Sequence, residues 1–309
     1  MDQIFDCIVV GAGPGGLSAS LFLARYLHKT LTFHHNSPRN EYAHGVHGFL
    51  GNHGCSPANL LARGRDEVTA HGGLIMEACV TAARKISTDC FEVTTAADER
   101  TFQARRLLLA TGLRDLTPDC PGFRDFYGVS VHHCPDCDGY EWRNRRVGVL
   151  GSGTHTVGYT LGLMTWTDNL VLITNGLPDE VSTDERQLLS RFNIQVIDKQ
   201  VASLEGDISS KMLERIVFTD NQSVECDALF FNLGTEPSSE LHTMLGCDVE
   251  KSGLISVDRY QQTSVEGVYA VGDITPHSQL AIVAASEGAI AAIQIHQSLI
   301  PESQKVTAA

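Results

Sequence analysis

The stretch DCIVVGAGPGGLSASLFLARYL, residues 6–27, decides the fold of this chain. An apolar run is followed by Gly11, Gly13 and Gly16 in the spacing G-x-G-x-x-G, and then by small and apolar residues of helical pattern. Here Gly11 permits a tight turn, Gly13 lets the backbone approach a pyrophosphate, and Gly16 lets the helix pack closely. The helix N-terminus then offers free amides to the phosphates. The stretch predicts a Rossmann-type dinucleotide site.

The same unit recurs at RRVGVLGSGTHTVGYTLGLM, residues 145–164, where Gly151 and Gly153 follow a second apolar run. Each copy continues with a short strand and then a hairpin that feeds a buried strand ending in glycine. These segments are KTLTFHH (29–35), NLVLITN (169–175), FEVTTAADERTFQARRLLLATG (91–112) and ERIVFTDNQSVECDALFFNLG (214–234). The sequence therefore predicts an α/β protein with two Rossmann-like, three-layer dinucleotide-binding domains.

The second domain is predicted to be inserted into the first. LRDLTPDCPG (113–122) contains two prolines and reads as a crossover, and NLGTEPSSELHTM (232–244) interrupts the pattern again. The later GVYAVGDI (267–274) returns the chain to the first domain. The expected boundaries are 1–115 with 243–309 for the outer domain and 116–242 for the inserted one.

Composition excludes several classes of function. The formal charge of −14 argues against nucleic-acid binding, which needs Lys and Arg on the phosphates. No run of apolar residues is long enough to span a membrane, and the N-terminus lacks the basic region of a signal peptide, so we expect a cytoplasmic protein. Nine cysteines at irregular spacings fit a reducing compartment. Five are expected to be buried free thiols: Cys7, Cys79, Cys90, Cys226 and Cys247.

A Cys-x-x-Cys lies in VHHCPDCDGYEWRN, residues 131–144. Cys134 and Cys137 can form a redox disulfide, supply half of a zinc site, or be two inert thiols. Zinc needs four ligands, usually from a second Cys-x-x-Cys or a spaced histidine pair. The chain has no second Cys-x-x-Cys. His132 and His133 lie too close to Cys134 in the sequence for all three to ligate one zinc ion. The redox disulfide is the favoured interpretation, and no metal site is predicted.

The order of these motifs resembles the low-molecular-weight thioredoxin reductases. The shared features are G-x-G-P-G-G, an ATG crossover, Cys-x-x-Cys-Asp-Gly, a second G-x-G turn, GVYAVGD and EGAIAA. The segment PRNEYAHGVHGFLG, within residues 38–67, is similar to a branch that includes dithiol oxidases as well as reductases. The resemblance implies FAD in the outer domain, NADPH in the inserted domain, and a homodimer.

The resemblance also implies which residues hold FAD. Gly11, Gly13 and Gly16 would line the pyrophosphate, and Arg39 and Asn40 would lie near the adenosine. The remaining matches are Asn52 near the flavin, Gly112 of the crossover, Gly272 and Asp273 at the ribityl or phosphate region, and Gln279, Leu280 and Ala281 beside the isoalloxazine.

The same resemblance assigns roles at the cysteine pair. Cys137 would face the flavin and Cys134 would attack the partner disulfide. Asp138, next to Cys137, is expected to be the proton donor and acceptor for the thiolates of the exchange. His132 and His133 are candidates to assist. The partner is expected to be a thioredoxin-like protein or a small disulfide or dithiol.

The chain departs from the family at both nucleotide sites. After the second glycine turn, the family has a basic cluster for the NADPH 2′-phosphate, whereas no Arg or Lys occurs here between Arg146 and Arg186. Thr174, Asn175 and Gly176 supply no acid for an NAD ribose either. Weak or absent NADPH use is therefore expected. In the first domain, His34 or His35 stands where an acid would hold the FAD ribose.

Three electron sources fit these departures. Ferredoxin is one, with EWRNRR (141–146) as a basic contact. A second FAD is another, held at Gly151 and Gly153 with His155 beside them, as in a diflavin-linked branch. The third is a dithiol substrate whose electrons pass to FAD and oxygen. The expected function is an FAD-dependent dithiol-disulfide oxidoreductase, with an oxygen-using dithiol oxidase and a non-turnover flavin redox sensor as alternatives.

Overall fold

The computed structural model describes residues 4–304, so residues 1–3 and 305–309 of the predicted outer domain lie outside the described residues. The strands are β1 (Ile4–Val10), β2 (Thr30–His34), β3 (Leu74–Glu77), β4 (Val80–Ser87), β5 (Cys90–Thr95), β6 (Thr101–Leu109), β7 (Leu113–Asp115), β8 (Val131–His132), β9 (Val147–Gly151), β10 (Leu170–Ile173), β11 (Gln195–Ile197), β12 (Val201–Asp207), β13 (Met212–Phe218), β14 (Ser223–Glu225), β15 (Ala228–Asn232), β16 (Thr235–Pro237) and β17 (Val268–Ala270). The helices are α1 (Pro14–Arg25), α2 (Pro57–Ala70), α3 (Phe123–Phe126), α4 (Pro135–Asp138), α5 (Thr154–Leu163), α6 (Thr183–Arg191), α7 (Leu241–Leu245) and α8 (Ala281–Leu299).

The chain forms two compact units. The first comprises the described residues of Met1–Arg39, Gly48–Arg114 and Glu236–Ala309, and the second comprises Asn40–His47 and Asp115–Thr235. The predicted α/β class with two Rossmann-like domains is confirmed. The domain boundaries expected from the sequence, at residues 115/116 and 242/243, stay a prediction. No helix within residues 4–304 is both long enough and apolar enough to cross a membrane.

The first unit is built on a mixed sheet in the order β3-β2-β1-β6-β5-β4. β1 pairs in parallel with β2 and β6, and the later half of β6 also pairs in parallel with β17. β4, β5 and the start of β6 form the predicted antiparallel meander. β1 lies in the middle of the parallel strands and is buried on both faces, which explains its continuous apolar run.

Two helices cover one face of this sheet. Helices α1 and α8 can cross closely because Gly288 has no side chain. A Cβ at this position would overlap the carbonyl of Gly15. Leu23, Ile295 and Tyr269 fill the layer between these helices and the sheet. The other face packs under the meander, where Phe33 and its neighbours are buried from water. Burial of each side chain of this size contributes about 1.5–3 kcal/mol.

The second unit repeats the plan on a smaller scale. Its parallel sheet has the order β11-β10-β9-β15-β8. Helix α5 follows β9, and its Val157 and Leu163 pack against the sheet. The opposite face is covered by the antiparallel strands β12, β13 and β14, whose Leu204 and Ile216 are buried. The carboxyl ends of parallel strands with helices after them are where α/β proteins place their ligands.

Candidate active site

Cys134 and Cys137 form a disulfide, with their Cα atoms 5.3 Å apart. Cys134 caps the one-turn helix α4, and its Sγ accepts a hydrogen bond from the Cys137 N–H at 3.1 Å. Pro135 at the first helical position needs no hydrogen-bond partner for its nitrogen. Residues three apart on a helical turn share a face, so this turn brings the two sulfurs together. The disulfide favoured from the sequence is present.

The carboxylate of Asp138 lies between two imidazoles. Oδ2 is 3.4 Å from Nδ1 of His132, and Oδ1 is 3.7 Å from Nδ1 of His47. His132 ends β8 and is buried, and its Nε2 accepts a hydrogen bond from the indole N–H of Trp142 at 2.9 Å. The residue predicted to handle protons therefore stands within a group of polar side chains.

His47 was not predicted as a site residue. It comes from the segment Asn40–His47, which belongs to the second unit although the chain on either side belongs to the first. Its Nδ1 is 3.0 Å from the Cys137 carbonyl oxygen and 3.5 Å from a carboxylate oxygen of Glu141. The histidines of AHGVHG gave only a weak compositional signal, since these contacts span 90 residues of sequence.

A second polar group lies beside the pair. The hydroxyl of Tyr127 donates to Asp115 Oδ2 at 2.7 Å, and His133 Nδ1 lies 3.5 Å from the same oxygen. Tyr159 donates to the His133 carbonyl oxygen at 3.0 Å. Burial, followed by the negative charges of nearby aspartates including Asp138, raises the pKa of Tyr159 far above its usual value. Tyr159 therefore stays a protonated donor, and the disulfide lies in acidic surroundings.

The other thiols differ from the prediction fully at Cys79 and in part at Cys90. Cys7, Cys226 and Cys247 are buried, and burial raises the pKa of Cys226 to about 12. Cys90 is half-buried, with its pKa also raised by burial. The prediction for Cys79 is wrong: this residue is exposed, because it lies in the turn between β3 and β4. An apolar run in the sequence does not reveal such a turn.

The first glycine turn has the geometry that a pyrophosphate needs. Gly11 has φ +111°, and a side chain there would overlap the carbonyl of Ala110. A side chain on Gly16 would overlap the carbonyl of Gly11, whereas the space beside Gly13 is open. Gly13 is the N-cap of α1 without a side-chain cap, so the first amides of the helix face that space. The turn fits the diphosphate of FAD.

Two predicted flavin residues carry buried polar atoms without a partner among the described residues. These atoms are Nδ1 of His34, at the end of β2, and Oδ1 of Asn52. Burial, with the charge of Arg65 as the next cause, lowers the pKa of His34. The neutral ring can accept or donate a hydrogen bond, as a ribose hydroxyl requires. Unsatisfied buried groups are rare in folded proteins, so both atoms fit ligand contacts.

Three other predicted flavin residues meet at one guanidinium. Arg39 donates from Nη1 to Asp273 Oδ2 at 2.9 Å and to Gln279 Oε1 at 2.7 Å. The resemblance placed Arg39 near the adenosine, Asp273 at the ribityl or phosphate region and Gln279 beside the isoalloxazine. The fold joins all three through direct contacts. Leu280 caps α8 and Ala281 begins it. Gly112 has φ +69° and open space beside it, whereas Asn40 belongs to the second unit.

Glu287 supports the Gly272–Asp273 turn from below. Its Oε2 accepts the Gly272 N–H at 2.6 Å and the Thr275 hydroxyl at 3.1 Å, while Oε1 is 2.9 Å from His277 Nδ1. Burial raises the pKa of Glu287. This residue was missed as a site residue, although it begins the EGAIAA motif, because only the fold brings its carboxylate to the turn.

The second glycine turn keeps its two glycines, but a carboxylate lies beside Gly153. A side chain on Gly151 would crowd the Asn232 carbonyl and the Thr156 hydroxyl, each at 2.8 Å. Gly153 has φ +81° and begins α5, with His155 exposed in the first helical turn. A carboxylate oxygen of Glu180 lies 3.7 Å from the position that a Cβ on Gly153 would occupy. An anion therefore stands beside the predicted phosphate position.

An acid does lie at the end of β10, although the residues that follow this strand in the sequence supply none. Thr174 donates to Asp198 at 3.0 Å, and Asp198 follows the neighbouring strand β11. Arg186 of α6 contacts both oxygens of Asp198 and donates to the carbonyls of Val181 and Pro178. The acid and the base thus neutralise each other.

A glycine turn that fits a diphosphate in one Rossmann-like unit and a disulfide in the other are typical of one class of protein, the flavoprotein disulfide oxidoreductases. The family model of the pyridine nucleotide-disulphide oxidoreductases matches residues 5–288. The chain belongs to this family.

Within the family, the chain is a disulfide oxidoreductase of thioredoxin-reductase type. It is 31% identical to a thioredoxin reductase of Claviceps purpurea, over 88% of this chain and 87% of that protein. The crystal structure of HlmI is 34% identical, with a TM-score of 0.90, and the match covers 97% of this chain and 94% of the other. An oxidoreductase from Agrobacterium tumefaciens is 30% identical, with a TM-score of 0.87 over 96% and 99% of the two chains.

Proposed function

We propose that the chain catalyses dithiol-disulfide exchange at Cys134 and Cys137, with Asp138 as the group that gives and takes protons. The disulfide beside a carboxylate held between His132 and His47 carries this proposal. When bound, FAD supplies a two-electron carrier for the cysteine pair. The residues that would hold it are Gly11, Gly13, Gly16, His34, Arg39, Asn40, Asn52, Gly112, Gly272, Asp273, Gln279, Leu280 and Ala281.

The exchange balances through the two cysteines. The Cys134 thiolate bonds to one sulfur of a partner disulfide and expels the other as a thiolate. Cys137 then attacks Cys134, which restores the enzyme disulfide and releases the second partner sulfur. The partner gains two electrons and two protons, and the cysteine thiols lose them. Asp138 passes protons to the departing thiolates, which speeds the step because a thiol leaves more easily than a thiolate.

Weak or absent NADPH use is part of the proposal. Arg186 is the cation nearest in sequence after the second turn, and its guanidinium is taken up by Asp198 and two carbonyls. Glu180 adds a negative charge beside Gly153. Both features disfavour the phosphates of NADPH. The remaining donors are a second FAD at Gly151, Gly153 and His155, a protein such as ferredoxin, or a dithiol substrate.

The absence of a free phosphate clamp among the described residues favours one second candidate, an oxygen-using dithiol oxidase. The same steps then run in reverse. A substrate dithiol reduces the Cys134–Cys137 disulfide and becomes a disulfide itself, and the two electrons and two protons finally convert oxygen to hydrogen peroxide. The reaction consumes one dithiol and one oxygen molecule per turnover and needs FAD but no nicotinamide nucleotide.

The partner and the assembly are proposed from the family. Relatives named thioredoxin reductases support a thioredoxin-like protein, or a small disulfide or dithiol, as the exchange partner. Seven free cysteines support a reducing compartment, and we propose the cytoplasm. The family resemblance supports a homodimer.

One experiment separates these possibilities. FAD released from the purified protein is counted per chain, and NADPH, NADH or dithiothreitol is then added anaerobically while the flavin absorbance is followed. We expect bleaching by dithiothreitol and little or none by NADPH. Rapid bleaching by NADPH would overturn the nucleotide proposal, and two FAD per chain would favour the diflavin arrangement. Cys137→Ser should keep FAD but lose the bleaching by dithiothreitol, and a Cys137→Ser protein that still bleaches would refute the assigned pair.

A further inference from the structure

We propose that His132, fixed in one tautomer by Trp142, is a positioning residue that holds Asp138 for proton transfer. This inference rests on the proposed role of Asp138 and adds a mechanism for its orientation. It also assigns the two carboxylate oxygens of Asp138 different tasks. Oδ2 is the anchored oxygen and Oδ1 is the oxygen that exchanges protons.

The tautomer of His132 follows from its partner. An indole N–H can only donate, so the Nε2 that accepts it from Trp142 at 2.9 Å carries no proton. The proton of the neutral ring is therefore on Nδ1. His132 is 5% exposed and Trp142 is 9% exposed, so no bulk water competes for this bond. The ring of Phe230, 5.2 Å from that of His132, packs against the imidazole and limits its rotation.

The protonated Nδ1 faces Asp138. Its distance to Oδ2 is 3.4 Å, which is long for a hydrogen bond and leaves room for the contact to tighten during exchange. Helix α4 has one turn only and ends at Asp138, so the helix itself does little to fix this side chain. A buried N–H on one side of the carboxylate supplies that restraint.

The other side of Asp138 has a different character. His47 Nδ1 is 3.7 Å from Oδ1, and the same ring contacts the Cys137 carbonyl and Glu141. Since His132 cannot accept a second proton without breaking its bond to Trp142, it serves as a fixed donor. Protons therefore pass through Oδ1.

The charged and titratable surroundings of Asp138 come from several elements. His132 faces it from β8 and His47 from the segment Asn40–His47. Burial raises the pKa of the Tyr159 hydroxyl on α5, and the nearby charge of Asp138 raises it further. Glu141 reaches His47. A pH profile must be interpreted with these groups in place, so the test compares variants that alter His132 alone.

The experiment measures reduction of the Cys134–Cys137 disulfide in the full-length protein by dithiothreitol. Samples are quenched with N-ethylmaleimide and digested with trypsin, which releases residues 125–143 with Cys134 and Cys137 as the only cysteines. Mass spectrometry then counts the labelled pair directly, so the other thiols do not interfere. FAD content and the melting temperature are recorded for every variant.

Four variants define the outcome. Asp138→Asn should slow reduction about 100-fold or more, as for loss of a general acid. His132→Leu should slow it about 10-fold and alter the pH profile of reduction, because the buried N–H that holds the carboxylate is lost. His132→Asn places an amide N–H near the position of Nδ1 and should return the rate to within about threefold of wild type. His132→Leu combined with Asp138→Asn should be no slower than Asp138→Asn alone.

The controls separate positioning from folding. His242→Leu removes a histidine that is 6% exposed in the first unit and should leave the rate and the pH profile unchanged. Trp142→Phe keeps an aromatic ring but frees Nε2, so it should add a new pH dependence between about pH 5 and 8. This variant tests the proposal even where His132→Leu folds poorly.

The results that overturn the inference are distinct from those that overturn the proposed function. A wild-type rate in Asp138→Asn would remove the proposed role of Asp138 itself. A slow Asp138→Asn with a wild-type rate and profile in His132→Leu would remove only the positioning role. If His132→Leu and Asp138→Asn slowed reduction equally and their effects added in the double variant, His132 would act through general stability and not through Asp138.

Discussion

Both terminal nitrogens of Arg186 contact the carboxylate of Asp198, at 2.8 and 2.9 Å. The pair lies beside Thr174 at the end of β10, where a dinucleotide-binding domain distinguishes its nucleotides. A guanidinium is the usual partner of a 2′-phosphate. Here the guanidinium of Arg186, which could take this role, is already paired with Asp198. The second unit thus combines a retained glycine turn with a candidate phosphate-binding cation, Arg186, that is already occupied by Asp198.

This pair predicts a gain of binding. Asp198→Ala should free Arg186 and tighten NADPH binding about tenfold, because a charge-assisted hydrogen bond to phosphate becomes available. NADH, which lacks the 2′-phosphate, should bind as before. Isothermal titration of both nucleotides measures this, with Asp220→Ala as a control that removes a carboxylate paired with Lys199. An unchanged affinity for NADPH, or an equal gain for both nucleotides, would argue against the occupied-cation explanation.

A second prediction concerns Arg39 and FAD. Arg39 joins Asp273 and Gln279, so Arg39→Met removes the cation from a group predicted to face the cofactor. We expect FAD to bind about tenfold more weakly, the usual scale for losing a buried charged hydrogen bond. Fluorescence titration of the apoprotein measures the dissociation constant. Arg84→Met, which removes an exposed arginine paired with Glu92, should bind FAD normally. Equal FAD affinity in both variants would contradict the assignment.

The backbone features of the sites were predictable because local chemistry dictates them. Gly11 and Gly16 are required where a side chain would overlap a carbonyl, and this constraint is visible as a spacing in the sequence. Cys134 and Cys137 meet because one helical turn separates them, so their disulfide is also a local matter. The alternation of strands and helices likewise predicted the parallel strands of both units.

The side-chain partners were not predictable, because they come from distant segments. His47 contacts Asp138 although 91 positions separate residue 47 from residue 138 in the sequence. Asp198 approaches the end of β10 from the neighbouring strand, and Glu287 reaches the Gly272 turn from α8. Such contacts depend on the register and packing of whole elements, which a single sequence does not reveal.

A third prediction concerns the support of the Gly272 turn. Glu287→Ala would leave the half-buried Gly272 N–H without its acceptor and should lower the free energy of unfolding by about 1–3 kcal/mol. Glu287→Gln keeps an acceptor oxygen of the same reach and should be much milder. Urea unfolding followed by circular dichroism measures the difference. Equal losses for the two variants would show that the hydrogen bond to Gly272 is not what matters.

The same residue gives a pH dependence. Burial raises the pKa of Glu287 in the folded protein above its unfolded value, so the folded state binds this proton more readily. The resulting stabilisation is present below the unfolded pKa and is lost as the pH rises through the folded pKa. Relative to Glu287→Gln, the wild-type protein should therefore gain stability as the pH falls from 7 toward about 5. A wild-type protein that lost stability relative to Glu287→Gln over this range would contradict the assigned direction.

A final prediction concerns the free thiols, whose burial orders their reactivity. The thiolate is the reactive form, so burial and a raised pKa protect Cys7 and Cys226, whereas Cys79 is exposed. Iodoacetamide applied to the oxidised, folded protein at pH 8 should label Cys79 at least about 100 times faster than Cys7 or Cys226. Peptide mass spectrometry over time gives the rates, and the same reaction in urea should make the three rates similar. If Cys226 were labelled in the folded protein as fast as Cys79, the packing of β13 and β15 around it would have to open far more often than a core strand does.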